Sequence, residues 1–123
     1  MKTVLVTTTD AAARRDLCAS LARFDYDVLI ASDGTEALAL LRDNRQIGVI
    51  VADIDLGGIT VAREPRAIRP NIGVVYTSMA PHRVAESMKV SGAPILRMPY
   101  GAHQLVGVIR GLGRRVLDDS LAA

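Results

Sequence analysis

A chain of 123 residues, half of them hydrophobic, has the size of one domain that buries a core without covalent staples. Aromatic residues make up only 3%, so the core is built from Val, Ile, Leu and Ala, a composition suited to a parallel sheet covered by helices. A lone cysteine, Cys18, excludes an internal disulfide and fits a reducing compartment. The first apolar run is too short for a signal peptide, and no window approaches a transmembrane length, so the expectation is a soluble, cytoplasmic protein with no membrane partner. The net charge of +2 is unevenly spread: residues 1–60 carry six Lys/Arg against nine Asp/Glu, and residues 61–123 carry nine against four. This reads as a solvated surface, with a basic face toward an acidic partner as the sharper alternative. No basic run is interleaved with aromatics, which argues against nucleic acid.

Strands are predicted at Val4–Val6, Val28–Ile30, Ile47–Val51, Ile72–Tyr76 and Pro94–Met98. The first helix is predicted over 11–24, with Asp10 as its N-cap and Ala13, Leu17 and Leu21 on one face. The second covers Thr35–Arg42 with Ala37, Leu38 and Leu41 inward. A third, Arg63–Ile68, is poor because Pro65 removes an amide donor and disfavours helix at Glu64. His82–Val90 and His103–Leu112 form the fourth and fifth, the last ending at Gly111 and Gly113. The domain is therefore placed at 1–113, with 114–123 as a tail, a helix extension or the start of a linker. Strict β/α alternation with short loops means a parallel sheet with right-handed crossovers. Ligands of such sheets bind beyond the carboxyl ends of the strands. Those ends carry Thr8 and Thr9, Asp53, Thr77 and Ser78, and Met98-Pro99.

Several segments in order carry a family likeness: VLV before a polar bend and an Arg-Arg helix, ASDGTEALALL at 31–41, VIVADIDL at 49–56, VVYTS at 74–78 and LRMPY at 96–100. Over residues 3–112 the chain resembles the CheY-like receiver domain of bacterial response regulators. The resemblance implies an α/β flavodoxin-like fold, a five-stranded parallel sheet in the order 2-1-3-4-5 with about five helices on its two faces. It implies action in two-component signal transduction by protein–protein contact, not enzymatic turnover. A histidine kinase or another signalling protein is the implied partner, and the surface of helix 4, strand 5 and helix 5 the implied partner or homodimer face.

In that family an aspartate ending strand 3 receives a phosphoryl group, and the matching residue is Asp53. The family holds Mg²⁺ with an acidic pair after strand 1 and adds a lysine before a proline after strand 5. Here the acidic pair falls on Thr8 and Thr9, and the lysine on Met98, read as core filler. Thr77, the switch hydroxyl, and Tyr100, the aromatic after the proline, are retained. A hydroxyl cannot replace a carboxylate's charge on a hard cation, so Mg²⁺ binding is expected to be weak or absent, with no other cofactor. Asp10 and Asp55 are auxiliary candidates for charge; Asp10 is first a helix cap, and Asp55 stands where the family offers a backbone carbonyl. His82 and His103, without metal-ligand spacing, read as surface residues. The segment DLGGITVAREP after Asp53 is shorter than the family's loop, so this loop and helix 3 are expected to be short or remodelled. The expected function is an atypical receiver with impaired phosphorylation at Asp53. The alternatives are a receiver still phosphorylated by a histidine kinase and, less favoured for want of a Gly-rich phosphate loop, a flavodoxin-like small-molecule binder.

Overall fold

The computed structural model describes residues 2–9, 11–54, 66–84 and 93–122. Five strands, β1 (Lys2–Thr7), β2 (Tyr26–Ala31), β3 (Ile47–Asp53), β4 (Gly73–Ser78) and β5 (Ile95–Arg97), form one parallel sheet in the order β2-β1-β3-β4-β5. This is the flavodoxin-like order expected from the sequence. Side chains alternate across the sheet as strand geometry requires. On one face Leu5, Ile50, Ala52, Val74 and Tyr76 pack with Ala37 and Leu41 of α2 (Gly34–Asp43). On the other, Val4, Val6, Val49, Val51 and Val75 pack with Leu17 and Leu21 of α1 (Ala11–Ala22) and with Leu105, Val106 and Ile109 of α3 (Ala102–Ala122). Burial on both faces explains why β1, β3 and β4 read as continuous apolar runs.

Local signals set the helix ends. Asp33 caps α2, its Oδ1 accepting the Glu36 N–H at 2.8 Å, while Glu36 Oε2 accepts the Ser32 N–H at 3.1 Å. These two bonds satisfy amides that the first helical turn leaves open. After α1 the chain turns at Asp25, whose φ of 64° is left-handed, a conformation Asp tolerates better than most residues. Leu38, expected inward, is half-buried.

Two expectations change. Helix α3 does not stop at Gly111 and Gly113 but continues to Ala122, crossing residues 113 and 114 without a break. Each interior glycine costs about 1 kcal/mol against alanine, yet the helix is anchored by its buried face, and no proline follows to stop it. Leu112 lies so close to β4 that a Cβ added at Gly73 would sit 3.2 Å from its Cδ1. The fourth predicted helix does not begin as α-helix: Pro81–Arg83 form one 3-10 turn that closes at Val84 with extended dihedrals. Helix is seen at 66–68, the end of the third predicted helix. The remodelled loop after Asp53, Asp55, the Asp10 cap and the rest of the third and fourth predicted helices lie outside the described residues. No helix among the described residues is long and apolar enough to cross a membrane.

Arg69 ties this frame together. Its guanidinium donates to the carbonyls of Leu41 and Asn44 (2.8 Å) at the end of α2, and to Ile47 at 2.9 Å where β3 begins. A cation at a helix C-terminus also meets the negative end of the helix dipole. Arg69→Met, which keeps the stem and removes the donors, is expected to lower unfolding stability by about 2 kcal/mol, read as a shift of the urea midpoint. A midpoint unchanged within error would show that water replaces these bonds at no cost.

Candidate functional site

The strand ends deliver polar side chains to one place. Asp53 and Thr77 are register partners at the ends of β3 and β4, and both are buried, Asp53 with 9% of its surface exposed. Thr7, the first of the three threonines, is structural. Its hydroxyl donates to the Val51 carbonyl at 3.2 Å and accepts the Asp53 N–H at 2.9 Å, bridging β1 to β3 just before the carboxylate. Thr8 is half-buried, with its N–H on the Ala31 carbonyl at 3.0 Å. Across the site the Met98 N–H donates to the Ser78 carbonyl at 2.9 Å, holding the Met98–Tyr100 corner beside β4. The Gly101 N–H is capped by Gln104 Oε1 at 2.9 Å as α3 begins.

Thr8, Asp53, Thr77, Met98 and Tyr100 therefore line a single open crevice of about 520 Å³. Thr9 does not: it is exposed and stands outside the lining. Met98 is not core filler either, but half-buried in the crevice wall, because the β5–α3 corner turns it away from both apolar clusters. His82 and His103 are exposed as expected, and His103 meets Phe24 edge-on at 5.1 Å. Sequence reasoning missed Asp16 and Ser20, which form a crevice wall from α1; the four-residue steps from Ala12 to Asp16 and from Asp16 to Ser20 were the available signal.

Burial, reinforced by the neighbouring Asp53 carboxylate, pushes the Tyr100 phenol up to about 12 from 10.0. Both causes disfavour a negative charge on the phenol beside Asp53, so it is neutral at physiological pH.

No protein-family model matches the chain. It is 30% identical over 123 residues to the response regulator MprA of Mycobacterium sp. strain KMS, an alignment covering 94% of this chain and 52% of that protein. The chain thus spans about half the length of the curated relatives it matches. Among solved structures it superposes on a response regulator receiver protein from Sinorhizobium medicae with a TM-score of 0.76, 28% identity and coverage of 90% and 93% of the two chains. A receiver domain protein from Clostridium thermocellum gives a TM-score of 0.80 at 25% identity, covering 95% and 98%. In sequence the chain is similar to response regulators, and in sequence and fold to their receiver domains. Among the described side chains no group of three or more His, Cys, Asp or Glu converges on a metal position; Asp10 and Asp55 lie outside the described residues.

The Tyr100 shift yields a test. Asp53→Asn removes the charge and leaves the burial, so the phenol's pKa should fall yet stay above 10, read by pH-difference absorbance against Tyr100→Phe. The raised folded pKa also means that Tyr100 contributes stability fully present below pH 10 and lost as pH rises toward 12. Tyr100→Phe should flatten that part of the alkaline unfolding curve. An unshifted Tyr100 in Asp53→Asn would separate the two groups.

Proposed function

We propose that this receiver works in two-component signalling through protein contacts, with Mg²⁺-dependent phosphorylation at Asp53 impaired or absent. The observation that supports this is the charge of the crevice at the end of β1, where Thr8 offers a hydroxyl and Thr9 stands outside. Attack of a carboxylate on phosphorus requires the growing charge on the phosphoryl oxygens to be neutralised. Mg²⁺ does this only when held by carboxylates, usually one or two with several waters. Met98 contributes no charge on the opposite side. The protein is not an enzyme in this reading. It is cytoplasmic, with a histidine kinase or another signalling protein as partner, and no nucleic acid or membrane. The partner or homodimer face in this reading is the surface of helix 4, strand 5 and helix 5, of which β5 and α3 are described; Met79 and Arg83 before β5, and Arg97 in it, are exposed.

A phosphorylatable receiver is the second reading. It is favoured by the register pairing of Asp53 with Thr77, which keeps acceptor and switch hydroxyl together.

Two measurements decide between them. The melting temperature should stay flat with millimolar Mg²⁺ relative to matched NaCl, because a ligand stabilises only by binding the native state. Intact mass after a small phosphodonor and Mg²⁺ should show no adduct; a clear rise in melting temperature with labelling at Asp53 would establish the second reading. The triple variant Thr8→Asp, Thr9→Asp and Met98→Lys should gain both, with about 2.7 kcal/mol of stabilisation at a hundredfold excess of Mg²⁺ over its Kd. A folded but inert triple variant would place the defect in residues 55–65.

A further inference from the structure

The backbone pairing of β1 with β3 ends at Val6 and Val51, two residues short of Asp53. On its other side β1 runs one residue further, with Thr7 against Ala31 and the Thr8 N–H on the Ala31 carbonyl. Asp53 itself is paired with Thr77 of β4. On the β1 side its N–H is taken by the Thr7 hydroxyl at 2.9 Å, and the same hydroxyl donates to the Val51 carbonyl at 3.2 Å. In a parallel ladder the carbonyl of one residue and the N–H two residues on point at a single neighbouring residue, whose backbone serves both. Here a side chain serves both. That requires a group able to donate and accept at once, and a hydroxyl is the smallest that does.

Thr7 is buried, with 5% of its surface exposed, so water does not compete for either bond. Two simultaneous bonds hold the hydroxyl rotor, and a β-branched side chain has little χ1 freedom of its own. The accepted bond lands on the nitrogen attached to the Asp53 Cα, one bond from where the side chain leaves the sheet. Thr7 and Asp53 both line the crevice. Aim matters at such a place, because a misplacement of about 1 Å costs on the order of a hundredfold in rate wherever bonds are made.

We propose that Thr7 is a positioning residue for Asp53: its hydroxyl fixes the Asp53 backbone on the β1 side and so sets the direction in which the carboxylate enters the crevice. This role goes beyond the signalling reading and does not depend on whether Asp53 takes a phosphoryl group. It concerns where the carboxylate points, not what it reacts with.

The test is NMR on the whole chain, with Thr7→Val as the isostere that makes neither bond and Thr7→Ser as the variant that keeps both. In the unaltered protein the Thr7 hydroxyl proton should exchange slowly enough to be seen, with a nuclear Overhauser contact to the Asp53 amide. The Hα–Hβ couplings of Asp53 should report one staggered rotamer. Thr7→Val should average those couplings. It should also speed hydrogen exchange at the Asp53 amide about tenfold relative to the Val75 amide in the core, the effect of one lost hydrogen bond. Thr7→Ser should keep the single rotamer. A clamp that only adds stability would speed exchange at Asp53 and Val75 alike and leave the Asp53 rotamer unchanged, and that result overturns the proposal. So does a Thr7→Ser protein that behaves like Thr7→Val, which assigns the effect to packing of the methyl group. If Thr7→Val does not fold, the unaltered protein and Thr7→Ser decide. A missing contact between the hydroxyl proton and the Asp53 amide, or an averaged Asp53 rotamer in either protein, overturns the role.

Discussion

In a parallel sheet packed on both faces, the side chains in the interiors of the central strands are taken out of water. An uncompensated polar group there would lose its water without gaining partners, at a cost of about 1–3 kcal/mol. Polar chemistry is therefore pushed to the carboxyl termini of the strands, where loops diverge and a crevice opens. This chain follows the constraint closely. β1, β3 and β4 are aliphatic through their interiors and turn polar at Thr7, Asp53 and Thr77-Ser78. The Thr7 hydroxyl then holds β1 against β3 at the residue where the acceptor carboxylate leaves the sheet. Register, more than any single contact, places Asp53 beside Thr77.

A nine-tenths buried carboxylate is expensive when charged, and receivers offset the cost with metal and lysine charges. Among the described residues the crevice lining includes the hydroxyls of Thr8, Ser20 and Thr77, the Met98 thioether, the Tyr100 phenol and the Asp16 carboxylate. That lining is what supports the signalling reading proposed above.

The outer walls matter for a similar reason. Asp33, Glu36 and Arg69 fix the two ends of α2, and Gln104 caps the start of α3. Such bonds cost little to form at exposed helix ends and hold rigid elements on either side of the strand termini. Small residues on α1 and at the start of α3 then leave room that larger ones would fill.

Much was legible from the chain itself. Apolar runs about twenty residues apart mark the strands, and the three-four spacing of Leu17, Leu21, Ala37 and Leu41 marks helix faces, because both patterns are local consequences of backbone geometry. The ordered polar ends, from Thr8 to Asp53, Thr77 and Met98, were enough to locate the crevice. Which threonine faces inward was not legible. Thr7, Thr8 and Thr9 are identical in type and adjacent, and only the pairing of β1 with β3 makes the first a clamp, the second a wall and the third solvent-exposed. Asp16 and Ser20 were hidden for the same reason, since their role exists only once α1 lies across from the β5–α3 corner. The continuation of α3 through Gly111 and Gly113 is also a tertiary result: local propensity favours a stop there, and packing of the helix along β4 outweighs it.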